Sequence, residues 1–91
     1  MDRKSLRERL AKLHAELAKA HQEDPATRQS LGAILPDVQR MVDEPPGPAA
    51  QSMYQSLPER LERVAVQFEA GHPTLAASAR RLIDLLNEVG I

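Results

Sequence analysis

Leu6, Leu10, Leu13, Leu17 and Ala20 recur at spacings of 4, 3, 4 and 3. Such a run lies along one face of an α-helix and does not fit a strand, whose faces alternate at every residue. One helix cannot bury its own apolar face, so the rest of the chain, or a second chain, must cover it. The pattern recurs near the other end in Leu75, Ala79, Leu82, Leu86 and Val89, widened by Ile83 and Leu85. Between them lie Leu31, Ile34, Leu35, Val38, Met41 and Val42, then Leu57, Leu61, Val64 and Phe68 with Ala65 beside them. Composition agrees with an all-α fold. Twelve Leu and thirteen Ala make 25 of the 38 hydrophobic residues, and both are strong helix formers. Phe68 and Tyr54 are the only aromatics, which leaves few walls for a ligand pocket.

Turn chemistry divides these stripes into four helices, at about 3–22, 25–43, 56–70 and 73–89, within one helical domain spanning 1–91. Asp24 is a good N-cap, and Pro25 fits the first helical position, where its missing N–H costs nothing. Pro36 falls inside the second stripe; it cannot donate to the Gly32 carbonyl and its ring crowds that group, so a kink is expected there. Residues 43–50, with three prolines in the run Pro45-Pro-Gly-Pro48, form the linker between halves. Ser56-Leu-Pro-Glu59 fits a capping box at the start of the third helix, and Tyr54 carries the stripe backwards towards an alternative start near Ala49. Glu59 and Arg63 make a favourably oriented i,i+4 pair. Gly71 stands where a helix often ends in the left-handed conformation, and Gly90 before Ile91 repeats that arrangement, with Ile91 folding back onto Leu86.

The result is two antiparallel helical hairpins joined by a proline-rich linker. They can close as a four-helix bundle within one chain, or as an oligomeric, coiled-coil-like bundle of several chains. The wide faces of the second and fourth helices favour central positions for both. Charge is uneven. Residues 1–21 carry six Lys/Arg against three Asp/Glu, +3, and residues 22–44 two against five, −3. Mutual attraction of the first two helices follows, modest where the charges are exposed.

Glu69 and His72 are the pair that most resembles a metal site. Carboxylate-bridged metal bundles need two Glu-x-x-His motifs and two further Glu residues, and this chain has one such motif, at a helix end. His14 and His21 are seven residues apart, about 10.5 Å along a helix, too far for one metal. With no cysteine, no glycine-rich phosphate loop and no Gly-x-Ser-x-Gly elbow, the expectation is no enzyme, no metal and no cofactor. Arg3, Lys4, Arg7, Arg9 and Lys12 could bind nucleic acid or a membrane surface. Glu8 interrupts them, no aromatic residues interleave to stack on bases, and the leucine stripe is needed for the core.

The segments Leu6-Arg-Glu-Arg-Leu-Ala-Lys-Leu-His-Ala-Glu-Leu17, Phe68-Glu before His72-Pro73-Thr-Leu75, and Asn87-Glu-Val-Gly-Ile91 resemble the short bacterial proteins of domain-of-unknown-function family 4404. The resemblance covers nearly the whole chain, least well the linker, and the ending departs from the family's Ser-Asn-Met-Gly-Ile. It implies a small helical protein of bacterial source and transfers no activity and no site residues.

A structural or protein–protein interaction role is the reading that remains. Its interaction seam is Leu6, Leu10, Leu13, Leu17, Leu57, Leu61, Phe68, Leu82 and Leu86, flanked in the first helix by Arg7, His14 and His21 on one side and Arg9, Glu16 and Glu23 on the other. The partner expected is a second copy, in a dimer or tetramer, or another helical protein. The absence of an N-terminal apolar run leads to the expectation of a cytoplasmic protein.

Overall fold

A computed structural model describes residues 3–44 and 54–89. It is all-helical: α1 (Arg3–Glu23), α2 (Pro25–Leu31), α3 (Ile34–Asp43), α4 (Leu57–Phe68) and α5 (Pro73–Glu88), with no strand among the described residues. The longest dimension, 35 Å, is little more than the ~30 Å length of a helix the size of α1, so α1 spans the molecule from end to end.

α1 turns into α2 at Asp24. There the backbone is extended (φ −129°, ψ 113°), and the carboxylate oxygen Oδ1 accepts from the Ala26 N–H at 2.9 Å, with Pro25 in the first turn. Thr27, fully buried, shares its hydroxyl proton between the carbonyls of Ala20 (2.9 Å) and Asp24 (2.7 Å), which also accept from the N–H groups of Asp24 and Thr27, so the corner is tied by side chain and backbone together.

The second stripe forms two helices, and the break is at Gly32-Ala33 instead of Pro36. Pro36 is the third residue of α3, where a backbone N–H would have no helical partner anyway. The chain parts at the carbonyl that a continuous helix would press against the proline ring, four residues earlier. Gly32 stays right-handed (φ −58°, ψ −33°) and still donates to the Arg28 carbonyl at 2.9 Å, so the break is shallow.

α3 ends beside the start of α1, where Arg7 Nη2 donates to the Asp43 carbonyl at 3.5 Å, so α2 and α3 return along α1. Among the described residues no side-chain ion pair joins α1 to α2 or α3. Most of the described charges on these segments are exposed, while Glu16, Asp24 and Asp37 are half-buried. The linker expected at 43–50 falls mostly on residues 45–53, outside the described residues, as does the Gly90-Ile91 cap. Tyr54, just before α4, is buried.

Ser56 precedes α4, but it has right-handed dihedrals (φ −84°, ψ −8°) and no side-chain cap bond. The capping box is not formed, because an N-cap side chain reaches the next turn only from an extended backbone. Glu59 and Arg63 do pair, at 2.9 Å. α4 ends at Phe68, where the His72 N–H takes the Phe68 carbonyl at 2.7 Å. Gly71 is not in the left-handed region; the turn is made with ordinary dihedrals. His72 (φ −138°, ψ 70°) leads into Pro73, which opens α5.

α4 lies along α5, and α5 along α1. Small buried side chains, Ala65 in α4 and Ala76, Ser78 and Ala79 in α5, allow these close approaches. The joint between the two halves is therefore α1 against α5. The central place expected for the second helix is not found, because that helix is broken and meets α4 at few points. One apolar core runs through all five helices, from Leu6 to Leu86.

Candidate interaction surface

Two features stand out at the α1–α5 joint. One lies at the end of the molecule where both corners meet. His72 Nε2 contacts the second oxygen of Asp24, Oδ2, so one carboxylate caps α2 and also holds the corner between α4 and α5. Phe68 sets its ring edge-on to His72 at 5.8 Å between centroids. Glu69 turns away, toward Arg80 at 3.7 Å. The two residues that most resembled half a metal site thus serve different contacts. Next to the clasp, buried Ser78 of α5 donates its hydroxyl to Glu16 of α1.

The other feature is a groove of about 300 Å³ running between α1 and α5 away from that corner. Its floor is Leu13 and Leu85, both core residues. Arg9, Lys12 and Glu16 form the α1 wall, and Arg81, Asp84 and Glu88 the α5 wall. Arg9 and Glu88 meet across it at 3.8 Å, and both are more than half exposed. Lys12, Arg81 and Asp84 are exposed and have no hydrogen-bond or ion-pair partner among the described residues. A smaller hollow of about 210 Å³ lies between α2–α3 and α4, over Ile34 and Val64. Beside it Arg60 binds Asp37 at 2.7 Å.

The nine seam residues, Leu6, Leu10, Leu13, Leu17, Leu57, Leu61, Phe68, Leu82 and Leu86, are all buried against one another within this chain. His14 and His21 are half-buried along α1. Of the basic cluster, Lys4, Arg7, Arg9 and Lys12 are exposed on α1. Arg7 and Arg9 are already engaged by the Asp43 carbonyl and by Glu88. Sequence reasoning singled out the flank formed by Arg9, Glu16 and Glu23, but not the matching flank of α5. The signal was there in Arg81, Asp84 and Glu88, spaced 3 and 4 apart beside the stripe that contains Leu82 and Leu86. No helix among the described residues is long and apolar enough to cross a membrane.

The family model described as "Domain of unknown function (DUF4404)" matches residues 6–91. No curated protein and no solved structure matches the chain.

Proposed function

The chain belongs to this family of unknown function, and we propose that it acts as a cytoplasmic protein-interaction module and not as an enzyme. In this reading it is an antiparallel four-helix bundle, α2 and α3 together making the second helix, and it offers the α1–α5 groove to a protein partner. The observation that carries the reading is the groove itself: an apolar floor under charged walls, three of whose side chains have no partner among the described residues. An apolar centre ringed by polar groups is how protein interfaces are commonly arranged. The leucine seams, first expected to bind the partner, are used in the chain's own core, so association falls to the groove. Binding of nucleic acid or a membrane surface by the basic first helix draws less support, since its leucines face inward and two of its arginines are engaged.

The test is a photo-crosslinking amino acid placed at Arg81 and, as a control, at exposed Val66 on the outer face of α4. Irradiation of intact cells should give a protein adduct at position 81 and none at position 66. No adduct at 81, or equal adducts at both positions, would refute the reading.

A further inference from the structure

We infer that the partner seated on the α1–α5 groove is a second copy of this chain, related by a two-fold axis running along the groove. The inference rests on the groove being the interaction face and adds the identity and register of its occupant.

Charge order selects the occupant. Arg9 faces Glu88, and Glu16 faces Ser78, so α5 descends as α1 rises. Stepping along the two walls from the first of these contacts places Lys12 opposite Asp84, while Glu16, held by Ser78, lies about one turn beyond Arg81. Read from the Arg9 end, the α1 wall is plus, plus, minus. The α5 wall is minus, minus, plus. A two-fold axis along the groove lays the α1 of one copy over the α5 of the other at the same height. Arg9 and Lys12 of each copy then meet Glu88 and Asp84 of the other, opposite in sign at both levels, with Glu16 of each copy one turn from Arg81 of the other. Leu13 of each copy comes over Leu85 of the other in the middle. Turning the axis across the groove instead sets Lys12 near Lys12 and Asp84 near Asp84, so only one two-fold arrangement matches. Lys12, Asp84 and Arg81, which have no partner among the described residues, are what such an interface requires. A two-fold contact uses one patch twice, so each matched pair is made twice.

The experiment is molar mass by light scattering on the purified full-length chain, over about a hundredfold range of concentration. The wild type should pass from monomer to dimer, at a midpoint that rises with added salt. Lys12→Glu and Asp84→Lys are exposed changes and should leave the helical circular dichroism unchanged. Each alone sets like charges together at two symmetry-related places and should weaken dimerisation by more than about tenfold. Mixing the two variants restores opposite charges at both places, so a heterodimer should form from two samples that are monomeric apart. The double variant should dimerise by itself. If these residues served only contacts within one chain, mixing would rescue nothing. A wild type that stays monomeric throughout, single variants that dimerise as the wild type does, or no rescue on mixing would each overturn the inference. A monomeric chain that still gives an adduct at position 81 in cells would leave the interaction reading standing while removing the second copy as its partner.

Discussion

Asp24 has two jobs, one for each carboxylate oxygen. Oδ1 caps α2 through the Ala26 N–H, and Oδ2 holds His72 at the opposite corner. Asp24→Ala removes both and should lower unfolding free energy by about 1–2 kcal/mol in urea titrations. His72→Ala leaves the cap intact and should cost less than Asp24→Ala. If the two single changes cost the same, the cap contributes nothing. The glycines give a sharper contrast. A methyl at Gly71 would meet nothing within 4 Å and the backbone there suits any residue, so Gly71→Ala should stabilise by about 0.4–1 kcal/mol. At Gly32 the same methyl would fall 2.9 Å from the Arg28 carbonyl oxygen, a backbone atom that cannot easily move. Gly32→Ala should destabilise, and thermal melts of the two variants should shift in opposite directions. At this scale the sequence was informative about identity and less so about conformation. Asp24 is a recognisable cap, whereas Gly71 suggested a left-handed turn the chain does not make. The clasp to His72 was not legible because it joins residues far apart in sequence, through a packing of helices that no local pattern specifies.

Among the elements, the stripes located every helix, since a 3.6-residue period is a local property of the chain. They missed one boundary. The period runs on unbroken from Leu31 through Ile34 and Leu35, so nothing in the apolar pattern marks the end of α2. The break follows from Pro36 acting backwards on Gly32, and the glycine, a weak helix former, is the cheapest place to yield. Pro36→Ala supplies the missing N–H and removes the ring. The amide of residue 36 should then become protected from hydrogen exchange by bonding to the Gly32 carbonyl, joining α2 to α3. An unprotected amide at 36 would assign the break to the packing of Leu31 and Ile34 on α1 instead. The groove belongs to this scale as well. Its α1 wall was visible as a charged flank, but its meaning depends on which helix lies alongside, and that was settled by the short side chains of α5.

For the whole molecule, the decisive contact is α1 with α5, because the halves otherwise meet at few points among the described residues: α3 against α4, Ser30 with Gln67, and the Asp24–His72 clasp. If this joint carries the fold, the chain must unfold as one unit despite its division by a proline-rich stretch. Leu82 in α5 is fully buried in the shared core. Leu82→Ala should cost about 2–5 kcal/mol through lost burial and the cavity left behind. That is a large share of the roughly 5–14 kcal/mol that a chain of this length ordinarily has. The informative quantity is where the loss is felt. Opening that breaks the α1–α5 joint exposes Leu10 and Leu17 of α1 along with α5, so neither half keeps a covered core. Hydrogen exchange on Leu82→Ala should therefore show protection falling by the same factor in α1 and α3 as in α4 and α5, with a single denaturation transition. Loss confined to α4 and α5 would mean that α1 is covered well enough by α2 and α3 alone. The halves would then be separable units, and the groove between them a surface that can open.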